Sequence, residues 1–443
     1  MQKKVIQVEE KVPILQGLPL SLQHLFAMFG ASVLVPILFN QTAQRVSGDP
    51  HMQVIDPALV LLMNGIGTLI YLFLCKGKAP AYLGSSFAFL APTFAVIASP
   101  GDVKTNFSKA LGGFILAGLI FTATALIIGV TGTKWLDVVL PPATMGPIVA
   151  LIGLELASTA VANAGLLPDA NGHFDTQAII ISLFTLGVLI FGTLVFRGFL
   201  SVIPVLFAVV AGYVLAAFMG RVDYSTVTSS ALIALPHPVL PVFNLDAMLV
   251  IAPAALVVIS EHIGHLLVTS KIVDRDLVKD PGLHRSMLGD GLSTMISGFA
   301  GSVPTTTYGE NMGVMAITKV YSVWVIGGAA VISIILAFVG KLSGIISSIP
   351  GPVMGGVTIL MYGVIAASGI RILVESKVDY SIPKNLILTA VVFIVGVSGV
   401  AVTLGGTVQL KGMALATIVG ILLSLAFYIL EKLKLTNEAE QNQ

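Results

Sequence analysis

The chain has 443 residues, 56% of them apolar and only 10% charged, with a formal net charge of +1. A soluble protein carries about 25% charged residues, so this composition excludes one and points to a polytopic membrane protein with no room for a sizeable soluble domain. The charge balance offers no basic domain for nucleic acid, and one cysteine, Cys75, rules out an internal disulfide framework.

Met1 to Val12 is polar and the apolar stretch behind it is too long for a signal peptide, so the first segment is expected to stay in the membrane. Apolar runs separated by polar or Gly/Pro breaks mark fourteen segments: 14–39, 57–75, 80–97, 108–130, 138–157, 177–195, 198–219, 244–270, 286–300, 303–318, 321–340, 346–369, 384–403 and 411–432. The third and tenth are broken by Pro or Gly and hold the same place in two halves, 14–219 and 244–432. With the N-terminus in the cytoplasm, seventeen of the 23 Lys and Arg fall inside. Only Arg45, Lys104, Lys109, Arg221, Lys341 and Lys411 fall outside, which supports cytoplasmic N- and C-termini. Pro141-Pro142-Ala143-Thr144-Met145-Gly146 and Pro350-Gly351-Pro352-Val353-Met354-Gly355 open the fifth and twelfth segments. Two repeats of seven spans must insert with opposite orientations, and inverted repeats mark alternating-access carriers.

In the first segment Gln23-His24 reads as a hydrogen-bonding pair. The third carries Gly84-Ser85-Ser86-Phe87, where a break would free backbone N–H donors and place a ring that either faces a flat ligand or packs. In the eighth, Glu261 and His265 are four residues apart and share a helix face, while His262 points elsewhere. Such a pair either exchanges protons in the physiological range or pins two helices. Glu155 is expected to reach water at the outer end of its segment. Asp290, between Gly289 and Gly291, is either a loop-like break or a helix contact and is given no transport role.

The tenth segment is the most informative. Gly301-Ser302-Val303-Pro304-Thr305-Thr306-Thr307 is poor helix-forming sequence, and Tyr308-Gly309-Glu310-Asn311-Met312-Gly313 follows it. A carboxylate at mid-membrane costs about 2.5–3.5 kcal/mol on insertion scales, so Glu310 is expected to face a cavity or the protein interior. Irregular backbone is tolerated there for the same reason.

Glu310, Asn311, Gly313, Thr318 and Lys319 match a signature of acid or amide, Asn, any residue, Gly, four residues, Thr and a basic residue or Gly, and Gln23-His24 matches a second motif. On these residues, from about Leu15 to Leu430, the chain resembles the nucleobase/ascorbate transporter family, and within it the bacterial carriers of uracil. The resemblance implies an all-α polytopic membrane protein of fourteen spans in two inverted repeats, with short antiparallel strands interrupting segments 3 and 10. It implies a core domain of segments 1–4 and 8–11, a gate domain of segments 5–7 and 12–14, and a homodimer in a bacterial plasma membrane. It implies uracil uptake coupled to protons, with no metal and no other cofactor. The implied substrate contacts are the carboxylates of Glu261 and Glu310, the ring of Phe87, and close approaches at Ala31 and Gly309. His265 would support Glu261 in proton coupling, with Gln23, His24, Ser86 and Asn311 behind these contacts. Gln41 to Asp56 would be an outer loop longer than in some relatives. Three rivals stand beside this reading: a xanthine-type purine permease of the same family, an anion exchanger or channel of similar architecture, and a membrane-embedded enzyme. The last lacks a metal-ligand spacing and a nucleophile elbow. Sodium as coupling ion stays open.

Overall fold

A computed structural model describes residues 5–168, 172–198, 200–404 and 408–436. In chain order the first half holds α1 (Ile14–Ser47), α2 (Pro57–Leu74), β1 (Leu83–Ser85), a 3-10 turn (Phe87–Phe89) leading into α3 (Leu90–Ile97), α4 (Val103–Thr131), α5 (Lys134–Val139), α6 (Pro142–Glu155), α7 (Ala157–Asn163), α8 (Thr176–Val195), α9 (Pro204–Phe218) and α10 (Ser225–Ser229). The second half holds α11 (Leu245–Val273), α12 (Leu283–Ala300), β2 (Thr305–Thr307), α13 (Gly309–Thr318), α14 (Val323–Ala337), α15 (Gly340–Ser347), α16 (Gly351–Glu375), α17 (Pro383–Val397), β3 (Ala401–Leu404), β4 (Val408–Lys411) and α18 (Gly412–Lys432).

Eight of these spans are long and apolar enough to cross a bilayer unaided: α1, α2, α4, α6 with α7, α8, α11, α16 and α18. The shorter α9, α14 and α17 and the two interrupted segments occupy the other expected places, and α12 is too rich in Ser and Gly to stand out by hydropathy. Helix starts are written in short polar side chains. Asp56, Asp102, Asp175, Asn244 and Ser322 accept N–H groups at the starts of α2, α4, α8, α11 and α14, satisfying donors that lipid cannot.

The packing itself carries the repeat. If segments 1–7 map onto 8–14, α4 against α12 has its counterpart in α14 against α2, and α4 against α11 in α14 against α1. Likewise α6 against α17 matches α16 against α8, and α8 against α9 matches α17 against α18. The heaviest helix packing lies within segments 1–4 and 8–11 and within segments 5–7 and 12–14, while α1 against α9 and α11 against α6 and α18 join the two sets. In the second group α6 and α16 cross where a Cβ on Gly369 would collide with the Gly146 carbonyl and the Ala150 main chain. Small residues let two backbones approach where lipid gives no hydrophobic drive.

Three expectations need correction. α1 does not end near residue 39 but continues to Ser47, because Arg45 donates to Asn163 Oδ1 at 2.8 Å and Asn163 to Gln41 at 3.3 Å, giving this polar turn partners on α7. Glu155 is half-buried and accepts the Met413 N–H at 3.0 Å, so it caps α18. Segment 13 stops at Val397, and after Gly399, in the left-handed region, the chain forms a β3–β4 hairpin. Of the two readings left open for Asp290, the helix contact holds: it lies inside α12, and His262 points at it.

The residues before α1 fold back as a strap on the α13–α14 junction. Ile6 N–H donates to Lys319 O at 3.0 Å, Tyr321 N–H to Ile6 O at 2.9 Å, Val323 N–H to Val8 O at 2.9 Å, and the Ser322 hydroxyl to Glu10 O at 2.6 Å. Val8 is fully buried beneath it. Glu9 pairs with Arg275 at 2.5 Å, and the guanidinium holds that carboxyl below the usual glutamate range.

Candidate functional site

The site begins with two strands that are too short to stand alone. β1 and β2 pair antiparallel as Leu83 with Thr307, Gly84 with Thr306 and Ser85 with Thr305, and all six residues are buried. Every strand end is tied: Leu83 N–H donates to Thr68 Oγ1 at 2.9 Å, Ser86 N–H to Pro304 O at 2.9 Å, and Tyr308 N–H to Tyr82 O at 3.0 Å. The Tyr308 hydroxyl crosses back to Ser85 O at 2.8 Å, and the Ser85 hydroxyl donates to Ser32 O at 3.0 Å. Gly84 makes room for this clasp, since a Cβ there would stand 2.6 Å from the Tyr308 ring. Main-chain groups that lipid could not satisfy are thus satisfied by protein.

From opposite ends of this pair the chain enters the Phe87 turn and α13, so two helix N-termini point inward across it. Glu310 lies in the first turn of α13, where unpaired N–H groups favour negative charge. α11 packs against β2, α13, α3 and the Phe87 turn, bringing up Glu261 and His265. α11 also packs against α12, so the helix carrying Glu261 touches those carrying Glu310 and Asp290. The hydrogen bond that His265 makes runs from Nδ1 to Thr307 Oγ1 at 3.0 Å, not to Glu261. Its Nε2 faces Gly309, 3.8 Å from where a Cβ would stand. Phe87 is half-buried, and α1 lays the buried Ala31 beside Ser32, which holds β1.

Behind these, Asn311 Nδ2 donates to both Nδ1 and the carbonyl of His24, each at 3.1 Å, tying α13 to α1. Gln23 Oε1, Ser86 Oγ and Asn311 Oδ1 are buried without a protein partner. The structure therefore collects Glu261, Glu310, His265, Phe87, Gly309 and Ala31 around one strand pair, with His24, Ser86 and Asn311 against it. Among the described residues no group of His, Cys, Asp and Glu could hold a metal ion. Sequence reasoning missed Thr307, which orients His265, and Tyr308, which locks the strands.

The chain matches the model described as "Permease family" over residues 15–405. It is 56% identical over 434 residues to the uracil permease of Escherichia coli K12, covering 98% of this chain and 96% of that one. It is 55% identical over 441 residues to the uracil permease of Paenibacillus larvae, covering 99% and 100%. Among solved structures the same fold appears in the transmembrane domain of a cyanobacterium bicarbonate transporter, BicA, with TM-score 0.58 and 16% identity over 95% of this chain and 100% of that one. It appears also in the murine Slc26a9 anion transporter in its inward-facing state, with TM-score 0.70 and 11% identity over 96% and 69%. With that match over most of its length and relatives more than half identical end to end, this multi-pass membrane protein belongs to the nucleobase/ascorbate permease family, a family of transporters rather than enzymes.

Proposed function

We propose that the protein takes up uracil by proton symport in a bacterial plasma membrane, working by alternating access. The observation that supports this reading is the packing of α11, which carries Glu261, against both α13, which opens with Glu310, and the Phe87 turn at the paired helix breaks. Uracil presents N–H donors and carbonyl acceptors in one plane. Carboxylates take the donors, freed main-chain N–H groups meet the carbonyls, and the ring of Phe87 covers the face. Glu261 is the proton-coupled group, with His265 its neighbour one turn away. An anion carrier of this fold would gain from the helix ends and lose to the two acids.

Segments 1–4 and 8–11 are the core that moves, and segments 5–7 and 12–14 are the gate. Support comes from the heavier packing within each group than between them and from their close approach beside the site, where a Cβ on Gly30 would stand 2.6 Å from Val205 of α9. Rocking of one bundle against another around a fixed site is the general scheme for inverted repeats. The excess of basic residues in one set of loops favours cytoplasmic termini, and in this reading the protein works as a homodimer with the proton as its only co-substrate. Uptake of labelled uracil into vesicles, under an imposed proton gradient and then a sodium gradient, tests the reading. Uptake driven by sodium alone, or equal competition by xanthine, would refute it.

A further inference from the structure

One buried ionisable pair takes no part in this scheme. His262 on α11 and Asp290 on α12 are essentially sealed from solvent, at 0% and 1% exposure, with Nδ1 and Oδ2 3.1 Å apart. The other ring nitrogen of His262 meets Ser286 Oγ at 2.7 Å, and Ser286 Oγ meets the Tyr71 hydroxyl at 2.9 Å. The Tyr71 ring stands edge-on to His262, with centroids 6.4 Å apart. Gly289 permits this, because a Cβ there would lie 2.9 Å from the Tyr71 ring. Beyond Tyr71 comes Cys75, which closes α2 with its thiol beside that hydroxyl, and then the loop of Lys76 and Lys78. At the other end, one small cavity is lined by His262, His265, Thr307, Tyr308, Ser286 and Tyr71 together.

We propose that His262 and Asp290 form a second proton station, which passes the coupling proton from the Glu261–His265 site through Ser286 and Tyr71 toward the face that carries the N-terminal strap. The inference rests on proton symport as proposed above. A buried charge pair is costly unless it is used or fully bonded, and Asp290 Oδ1 is buried without a partner. The groups around the pair are Glu261 and His265 from α11, Ser286 from α12, Tyr71 from α2 and Tyr308 after β2, with Arg285 farther out beside Cys75 and Glu310 beside Glu261. From α4, Phe121 and Thr122, both uncharged, pack at Gly291. In each hop a hydroxyl accepts a proton on one side and releases its own on the other, so nothing but the proton moves. None of these groups needs to touch uracil.

The relay and a static pin of α11, α12 and α2 differ in what hydroxyl deletion does. Tyr71→Phe keeps the ring and Ser286→Ala removes one oxygen, with His262→Gln as a third variant. Full-length protein in vesicles is read three ways: uracil binding by calorimetry, uracil counterflow at equal pH, and uracil accumulation driven by a proton gradient. Counterflow does not require the proton to leave the carrier. Accumulation should fall at least about tenfold, while binding and counterflow stay within about twofold of the starting protein. The proposal is overturned if accumulation is kept, if all three readouts fall together, or if none of the variants folds. Wild-type protein that shows no uracil counterflow would sink the transport reading instead. Counterflow with indifference to a proton gradient would sink proton coupling, and this relay with it.

Discussion

In Leu83–Ile97, three strand residues turn through a 3-10 bend into an eight-residue helix. In Thr305–Thr318, three strand residues lead directly into a ten-residue helix. The backbones are counterparts and the furnishings are not. The first segment offers serine hydroxyls and the Phe87 ring, and the second offers Glu310 and Asn311. Both helix ends are fastened, again by different means. The Asn106 side chain on α4 donates to Ser99 O at 2.7 Å and to Ile97 O at 3.4 Å, whereas the α13 end is held by the strap at Lys319. The main-chain interruption is thus common property of the repeat, while the division into a stacking half and a charged half belongs to side chains alone.

Four substitutions probe that division. Glu310→Ala should weaken uracil binding by about 3 kcal/mol, roughly 150-fold, as a lost charged hydrogen bond would, and should not lower the melting temperature. If binding survives, the charged half has been misassigned. Phe87→Ala should cost about 2 kcal/mol of uracil affinity with folding intact, the middle of the range for bases stacked on aromatic rings. Loss of folded protein with unchanged affinity in the remainder would make Phe87 packing. Asn106→Ala should leave affinity alone and lower stability by about 1 kcal/mol, seen by thermal unfolding in detergent. The smallest effect belongs to the other fastening. Glu9→Gln should cost about 0.5 kcal/mol or less at neutral pH, since the pair is half-exposed. Because Arg275 lowers the Glu9 carboxyl below its unfolded value, this contribution is present above the ordinary glutamate range and fades as pH falls through the lowered folded value. Wild type and variant should therefore converge in acid, and a gap that persists there would remove the ion pair from the account.

Gly, Pro and a threonine run announce a break wherever they fall, so both interruptions were legible in the chain, as was the acid at the start of α13. What escaped were partners. Tyr308 and Ser85 are 223 residues apart, and nothing local in either names the other. Helical spacing turned His262 away from Glu261, but spacing cannot say that Asp290 waits on the far side. Likewise Glu155 sits near a segment end, and an acid there looks solvated until α18 arrives with unpaired N–H groups. Apolar residues resume at Val400-Ala401-Val402 after a break of only Ser398-Gly399, so mean hydropathy did not separate the strand from the helix before it. The polar end of α1 misled for the opposite reason: Gln41 and Arg45 are poor lipid neighbours but good ones for Asn163.

The strap has a consequence for synthesis. Glu10 and Ser322 are 312 residues apart, so the stretch ahead of α1 docks on a part of the chain made much later than itself. At about 5–20 residues per second, the interval is roughly 15–60 s. During it α1 and α2 insert with their leading end unsecured, and Val8 has no cover until the α13–α14 junction emerges. Closure of the strap then registers that the second repeat has been threaded with its basic junction on the same side as the beginning of the chain. A second half inserted upside down would present that junction across the bilayer, out of reach.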